Sequence, residues 1–416
     1  MIKISRSLLA TEETSLKPKS SCVAIVGGGP AGLRAAEICA AAGWRVDLFD
    51  AKRSAGRKFL VAGKGGLNLT NAEPREDLVQ RYSGKPREFW QEVLEQFDAG
   101  DLRQWALDLG FETFATKSGR VYLKDLKAAA LLRRWVSRLR DAGVVFEMNH
   151  RLVEITPGRP LRLTFENGRI AEANAIILAL GGGSWPETGS DGRWMELLEK
   201  LGIATTPLAP ANCGWECDWT AQILMAAEGK PLKNIRVAAG EKSASGELIL
   251  TRYGLEGGPL YALGSALRAM NAPAISLDLK PAHTIEQLVS KMESVRRNFA
   301  AEARQRWKLG EAAHALLADQ NWSDATSLAH RAKNFLIPLK SPRPIAEAIS
   351  SAGGVRWSEM DERLMSRKIP GLFFAGEMID WEAPTGGFLL QGCFSTATLA
   401  ARAAGDFLRR MEPGLD

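Results

Sequence analysis

The sequence has few of the residues that build metal sites, disulfide frameworks or catalytic triads. It has four histidines and five cysteines in 416 residues, and no Ser-His-Asp or Cys-His arrangement for nucleophilic catalysis stands out. The cysteines are odd in number and irregularly spaced, which indicates a reducing compartment. Cys213 and Cys217 have neither a second pair nor a histidine near them. We therefore expect incidental or buried thiols and no metal.

Long apolar runs and long basic runs are also missing. No segment approaches the length needed to cross a bilayer, so no membrane association is expected. Residues 1–20 lack the apolar core of a signal peptide and are expected to form a mobile tail on a cytoplasmic protein. The net charge is +6, but the charges of both signs are interspersed. This pattern favours a solvated surface over a nucleic-acid partner.

What the sequence does contain is a glycine-rich turn between a predicted strand and a predicted helix. Residues 23–26 are apolar and β-branched or small, and Gly27, Gly29 and Gly32 follow with the spacing G-x-G-x-x-G. Gly27 allows a tight turn, Gly29 lets a phosphate approach the backbone, and Gly32 lets the helix pack against the strand. The helix N-terminus then faces the anion. The turn predicts a binding site for a nucleotide diphosphate.

The segment after this turn supports the same interpretation. Residues 33–42 are predicted as a helix and residues 45–50 as a strand that ends at Asp50. An acidic side chain at this distance from the turn is placed to hold ribose hydroxyls. Further along, residues 87–109, 126–142, 284–306 and 308–333 have helical periodicity. Residues 175–180 form an apolar run that predicts a buried parallel strand.

The middle and the end of the chain differ in character. Short strand-like segments at 235–239, 247–251 and 274–279 are separated by turns, which favours an antiparallel barrel or sandwich. A buried strand at 370–377 is followed by Gly386 and Gly387 and by a helix of small residues. The strand, turn and helix at both ends of the chain indicate one α/β domain interrupted by an insertion. Pro186 stands where a second fingerprint, after residues 181–183, requires glycine, so no separate nicotinamide domain is predicted.

Several motifs in one order resemble the BaiN-like family of flavoproteins. They are the opening turn, Gly56-Arg57-Lys58, Gly119-Arg120-Val121-Tyr122, Ala179-Leu180-Gly181-Gly182, Ala352-Gly353-Gly354-Val355 and Phe374-Ala375-Gly376-Glu377. The resemblance covers nearly the whole chain and implies noncovalent FAD in a doubly wound α/β domain. It also implies an inserted β-barrel with a nested helical subdomain.

The resemblance implies the following organisation. A tail (1–20) precedes the first part of the FAD-binding domain (21–204). The inserted barrel (205–280), the helical subdomain (281–333) and a return strand of the barrel (334–348) follow. The second part of the FAD-binding domain (349–416) completes the chain.

The expected cofactor contacts follow from the turn and the resemblance together. Asp50 is expected at the ribose, Arg57 and Lys58 at the diphosphate, Val153 at the adenine and Glu377 at the ribityl or phosphate side. The full expected set is Gly27, Gly29, Pro30, Ala31, Gly32, Asp50, Ala51, Arg57, Lys58, Val153, Ala179, Gly181, Gly182, Gly376, Glu377, Gly387, Phe388, Leu389 and Gln391. The helix after Gly387 is expected to stabilise the negative charge of a reduced flavin.

The substrate side is less defined. Lys64, Arg252 and Tyr253 are the candidates for binding a carboxylate or polarising a carbonyl. The expected activity is hydride transfer through the flavin, as reduction of a C=C bond with NAD(P)H as transient donor or as oxidation of an amine with oxygen. Two alternatives stay open, namely a flavin-dependent enzyme that modifies nucleic acid and a flavin-binding protein without turnover. The sequence does not define the oligomeric state.

Overall fold

The computed structural model describes residues 22–411, and the tail expected over residues 1–20 lies outside them. No helix in this range is long and apolar enough to cross a membrane. The strands are β1 (Cys22–Val26), β2 (Arg45–Asp50), β3 (Asn68–Asn71), β4 (Thr113–Ala115), β5 (Arg120–Leu123), β6 (Val145–Met148), β7 (Leu152–Thr156), β8 (Leu161–Phe165), β9 (Ile170–Ala173), β10 (Ala175–Leu178), β11 (Thr205–Ala211), β12 (Trp215–Glu216), β13 (Pro231–Ala239), β14 (Lys242–Thr251), β15 (Gly254–Glu256), β16 (Ala274–Asp278), β17 (Phe335–Pro338), β18 (Ser350–Val355) and β19 (Leu372–Phe374). The α-helices are α1 (Pro30–Ala41), α2 (Arg57–Ala62), α3 (Arg75–Leu78), α4 (Arg87–Gln96), α5 (Ala99–Asp108), α6 (Ala128–Asp141), α7 (Trp194–Lys200), α8 (Ala221–Ala227), α9 (Gly258–Ala262), α10 (Gly264–Arg268), α11 (Ile285–Ser290), α12 (Phe299–Arg306), α13 (Glu311–Ala318), α14 (Ala325–Lys333) and α15 (Phe388–Met411).

The main sheet has five parallel strands in the order β19, β10, β1, β2 and β6. Every residue of β1 and β10 is buried, as expected for apolar strands with both faces covered. The strand order changes direction between β1 and β10. A ligand crevice is expected at the carboxyl ends of these two strands. The predicted doubly wound α/β fold is confirmed.

Helices α1 and α15 pack against each other, and α15 also packs against β10. The contact is close because the buried face of α15 is built of small side chains, among them Ala397, Ala400 and Ala404. The buried Arg34 of α1 donates from Nε to Thr398 Oγ1 of α15 at 3.1 Å. This bond joins the first helix of the chain to the last helix, so both ends of the domain form one unit.

The inserted part of the chain is connected by a two-stranded antiparallel sheet of β11 and β18. Beyond it, six strands form an antiparallel sheet in the order β12, β15, β14, β13, β16 and β17. A second apolar core joins this sheet to the helices α11–α14, which lie between β16 and β17 in the chain. The predicted antiparallel insertion with nested helices is therefore present.

Three long predicted helices are each divided in two. The helix expected over 87–109 consists of α4 and α5, because Asp98 caps α5 through the backbone N–H groups of Gly100 and Asp101. The helix expected over 284–306 is interrupted between Ser290 and Phe299, and Asn298, directly before α12, has a positive φ of 53°. The helix expected over 308–333 consists of α13 and α14. Periodicity alone misses such breaks, because the apolar faces of both pieces are directed at one core.

Two small antiparallel sheets accompany the main sheet. The first contains β3, β5 and β4, and the second contains β7, β8 and β9. In β5, Val121 and Leu123 are buried whereas Arg120 is exposed and Tyr122 is half-buried. This alternation is that of a strand with one face on the core and one face open.

Candidate cofactor site

The turn between β1 and α1 has the geometry that its glycines predict. Gly27 has a φ of +107°, and a Cβ there would lie 2.2 Å from the carbonyl oxygen of Ala179. A Cβ on Gly32 would lie 1.8 Å from the carbonyl oxygen of Gly27. A Cβ on Gly29, in contrast, would meet no atom within 4 Å. Gly27 and Gly32 are thus required by the fold, whereas Gly29 borders open space.

Asp50 at the end of β2 is connected to this turn. Its Oδ2 accepts from the N–H of Gly28 at 2.7 Å and its Oδ1 accepts from the N–H of Lys52 at 2.7 Å. Burial raises the pKa of the Asp50 carboxyl above its usual value, and the two backbone N–H groups oppose that rise. Each carboxylate oxygen keeps a further lone pair for a hydroxyl donor.

The start of α2 supplies two cations. Gly56 has a φ of +70°, and its N–H donates to the carbonyl oxygen of Gly28 at 2.8 Å, which holds α2 against the glycine turn. Arg57 Nε is buried and has no hydrogen-bond partner in the described structure. A buried guanidinium N–H without a protein partner is a site for an anion.

The side chain of Lys58 contacts a residue from the C-terminal part of the chain. Its Nζ lies 2.8 Å from Glu377 Oε2 and 2.7 Å from Ser184 Oγ. Glu377 Oε1 accepts in turn from the N–H of Ser351 at 3.1 Å. This network connects α2, the loop after β10, β18 and the loop after β19.

These groups border one cavity of about 320 Å³ at the carboxyl ends of β1 and β10. Twelve of the residues expected to bind the cofactor line it, namely Gly27, Gly29, Pro30, Ala31, Asp50, Ala51, Arg57, Lys58, Val153, Ala179, Gly181 and Glu377. The space left open at Gly29 and the unpartnered Nε of Arg57 fit a bound diphosphate. The residues present are those that a dinucleotide such as FAD requires.

The cavity also has lining residues that sequence reasoning missed. They are Ser54, His150, Thr188, Ser190, Asp191, Trp194 and Cys393, among others. Cys393 on α15 is partly exposed, and burial followed by the charge of Glu377 raises the pKa of its thiol to about 12. The loop after the buried strand β10, rich in glycine and serine, is a sequence feature that could have indicated Ser190. Nothing local pointed to Trp194 or Cys393.

The remaining expected cofactor residues lie outside this lining. A Cβ on Gly182 would lie 1.7 Å from Ser351 Oγ, and one on Gly376 would lie 2.7 Å from the Cβ of Ala31. Both glycines therefore permit close contacts behind the cavity. Gly387 has a φ of +94°, and a Cβ there would lie 2.3 Å from the carbonyl oxygen of Thr70. With the Asn68 amide oriented to satisfy its neighbours, its oxygen accepts from the Gly387 N–H at 3.0 Å.

The first turn of α15 is directed into the protein. Phe388 is buried, and its carbonyl oxygen accepts from Tyr82 Oη at 2.8 Å. Leu389 is half-buried. Gln391 is fully buried, with Oε1 accepting from Thr70 Oγ1 and Nε2 donating to the carbonyl oxygen of Phe97. Its amide is thus satisfied by the protein itself.

The three substrate-side candidates are not brought together. Lys64 is exposed at the end of α2. Arg252 is exposed and pairs with Glu228 at 3.1 Å. Tyr253 donates from Oη to Glu256 Oε2 at 2.5 Å, and burial, followed by the interaction with Glu256, raises the pKa of its phenol. Arg252 and Tyr253 lie in the turn between β14 and β15 of the insertion, whereas Lys64 follows α2.

Comparison with known proteins gives a consistent set of matches. The chain is 26% identical over 92% of its length to a 3-dehydro-bile acid delta(4,6)-reductase of Clostridium scindens, of which it covers 99%. It is 24% identical over 91% of its length to a ribosomal RNA dihydrouridine synthase of Escherichia coli, of which it covers 96%. Among solved structures, a 3-ketosteroid-delta4-(5alpha)-dehydrogenase of Rhodococcus jostii matches with a TM-score of 0.48 and 15% identity, covering 94% of this chain and 98% of that chain.

A family model described as the HI0933-like protein Rossmann domain matches residues 21–403. The match includes the whole of the glycine turn and α15 as far as residue 403. It confirms the resemblance inferred from the motifs, and the interpretation as a flavin-dependent oxidoreductase agrees with it. The chain therefore belongs to the HI0933-like family of Rossmann-domain proteins.

Proposed function

We propose that the protein is an FAD-dependent oxidoreductase that reduces a C=C bond conjugated to a carbonyl group, with NADH or NADPH as the electron donor. The cavity at the glycine turn carries the proposal. It combines open space at Gly29, a half-buried carboxylate at Asp50 and an unpartnered guanidinium nitrogen at Arg57. These are the groups that a dinucleotide needs, and the sequence contains no second fingerprint for a resident nicotinamide.

The type of reaction is supported by the names of the relatives. A delta(4,6)-reductase saturates ring double bonds, and a dihydrouridine synthase makes a base whose ring double bond is saturated. Both names describe the addition of two hydrogens across a C=C bond. We propose the same chemistry here, for either a small enone or the uracil ring of an RNA.

Bound FAD supplies hydride transfer at its N5 atom. The residues of the chain bind and orient it. Asp50 accepts the ribose hydroxyls, Arg57 binds the diphosphate, and the Lys58–Glu377 pair holds α2 against the loop after β19. The N-terminus of α15 would favour negative charge on a reduced flavin ring bound near it. Lys64, which is exposed just after α2, remains the candidate for polarising the carbonyl group of the substrate.

The test is anaerobic titration of the purified flavoprotein. Loss of the flavin absorbance on addition of NADH or NADPH, and its return on addition of cyclohexenone, a 3-oxo-4-ene steroid or a uridine-containing RNA, is the expected result. Bleaching by an amine, with recovery in oxygen, would replace the proposal with amine oxidation. Failure of every donor to bleach the flavin would leave a flavin-binding protein without turnover.

A further inference from the structure

The small sheet of β3, β5 and β4 presents an open aromatic face near the turn that precedes α15. Phe114 of β4 and Tyr122 of β5 are paired across the strands. Their rings are stacked, with centroids 6.0 Å apart and planes 29° from parallel. Phe114 is 39% exposed and Tyr122 is half-buried. Two stacked rings that remain open to solvent are available to stack on a further planar group.

This face is close to the α15 turn in the fold. Asn68 of β3 is paired with Tyr122 across the sheet, and the amide of Asn68 contacts the N–H of Gly387. A Cβ on Gly66 would lie 3.7 Å from Tyr122 Cδ1, so the glycine-rich loop after α2 packs along the same ring. The row Phe114, Tyr122 and Asn68 therefore leads from solvent to the turn at which α15 begins.

Three cations near these rings have no carboxylate partner in the described part of the chain, although Glu112 and Asp125 lie in the same segment. Lys117 and Arg120 lie in the β4–β5 hairpin, and Lys127 follows it. All three are exposed, and none forms an ion pair within residues 22–411. The neighbouring Lys124 is neutralised by Glu112. We call the set Phe114, Tyr122, Lys117, Arg120 and Lys127 the hairpin surface.

We propose that the hairpin surface binds an unpaired segment of RNA and presents one of its bases to the flavin. Unpaired bases stack on aromatic side chains, and phosphates are held by cations that lack partners within the protein. A duplex would hide its base faces from both rings. The inference rests on the proposed function, because it names the RNA form of the substrate that this reduction would act on.

Fluorescence anisotropy of the FAD-loaded protein with a labelled, unpaired, uridine-rich RNA tests the proposal. We expect the single strand to bind more tightly than the same strand in a duplex. Tyr122→Ala and Phe114→Ala should each weaken binding by about 5-fold to 100-fold, and Tyr122→Phe should bind as the parent does. Lys117→Ala combined with Arg120→Ala should lower the slope of log affinity against log salt by about 1.4.

The matched control is a variant of a second basic site. This site is the cavity on the inserted part that is lined by Lys230, Lys233, Lys280 and Lys308. Lys233→Ala combined with Lys308→Ala should leave RNA binding unchanged. Loss of binding in this variant, with full binding in Tyr122→Ala, would assign the RNA to that cavity and overturn the proposal. Equal binding of single strand and duplex would overturn it as well. Retained flavin content and an unchanged melting temperature show that each variant is folded.

Separate measurements of RNA binding and of flavin reduction distinguish a failure of this inference from a failure of the proposed function. If NADH or NADPH bleaches the flavin and an enone restores it, but no RNA binds, the hairpin surface is wrong and the reductase stands. If RNA binds through Tyr122 while no donor reduces the flavin, the hairpin surface stands and the reductase is wrong.

Discussion

Lys58 Nζ and Glu377 Oε2 lie 2.8 Å apart although 319 residues separate them in the chain. Both side chains are mostly buried, with 25% and 13% of their surface exposed. The pair joins the start of α2 to the loop after β19 at the wall of the cavity. With the Arg34–Thr398 hydrogen bond and the pairing of β10 with β19, it is one of several contacts that connect the two halves of the domain.

Lys58→Met should destabilise the apoprotein by about 1–3 kcal/mol, because Glu377 would keep a buried carboxylate with one partner fewer. Flavin content should fall as well, because Lys58 and the proposed diphosphate ligand Arg57 lie in the first turn of the same helix, α2. Urea unfolding and the ratio of flavin to protein absorbance measure the two effects. The double variant Lys58→Met with Glu377→Gln should recover part of the loss.

The control for this pair is Lys340, which forms an exposed pair with Asp218. Lys340→Met should change the free energy of unfolding by less than about 1 kcal/mol. An equally small effect of Lys58→Met would show that the Lys58–Glu377 contact contributes no more than a surface pair.

Gly29→Ala and Gly32→Ala should separate cofactor binding from folding. A Cβ at Gly32 would meet the carbonyl oxygen of Gly27 at 1.8 Å, so Gly32→Ala should destabilise the apoprotein by about 1–3 kcal/mol or more. A Cβ at Gly29 meets no protein atom. Gly29→Ala should keep apoprotein stability within about 0.5 kcal/mol while weakening FAD binding about tenfold or more. Quenching of FAD fluorescence gives the affinity, and unchanged affinity in Gly29→Ala would remove the diphosphate from this position.

Gln391→Met should affect stability and leave the flavin in place. The amide of Gln391 is fully buried and joins β3 to α15 through Thr70 Oγ1. Its loss should cost about 1–3 kcal/mol in the free energy of unfolding. Gln104→Met, which removes an exposed amide on α5, is the matched control and should be nearly neutral. A Gln391→Met protein with normal stability and no flavin would instead place this amide at the cofactor.

Alkylation of Cys393 should be slow at neutral pH and steeply dependent on pH. Burial raises the pKa of this thiol to about 12, so the thiolate, which is the reactive form, should increase about tenfold per pH unit until that value. In urea, where burial is lost, the rate should level off near pH 9. Iodoacetamide labelling followed by peptide mass spectrometry measures both rates. A plateau near pH 9 in the native protein would contradict the raised pKa.

The sign of the effect on stability follows from the same pKa. The folded thiol holds its proton to a higher pH than the unfolded thiol does. The contribution of Cys393 is therefore complete below pH 9 and is lost as the pH rises from 9 towards 12. Cys393→Ser should unfold with a weaker dependence on pH in that window.

The sequence was sufficient for the cofactor turn because its requirements are local. Gly27, Gly29 and Gly32 differ in what a Cβ would meet, and the G-x-G-x-x-G spacing already assigns each a separate role. Asp50 was found by its distance along the chain from the turn. The buried strands β1 and β10 could also be predicted from local sequence, because their apolar runs are short and continuous.

Contacts between distant segments could not be inferred in this way. The partner of Lys58 depends on how α2 packs against the loop after β19. No local sequence pattern predicts that contact. Gln391 is a similar case, since its motif position suggested the cofactor whereas its amide bonds to Phe97 and Thr70. The break at Asp98 was visible in principle, because aspartate followed three residues later by Asp101 forms a capping box.

The chain leaves and re-enters the α/β domain through β11 and β18, where Thr205 is paired with Val355. The two ends of the insertion are therefore neighbours in space. A segment attached in this way can be removed or replaced as a unit, because its removal leaves two neighbouring chain ends that a short loop can join. The inserted part, which has its own apolar core, can then vary without disturbing the α/β domain, and a truncated protein lacking residues 212–349 offers a starting point for engineering.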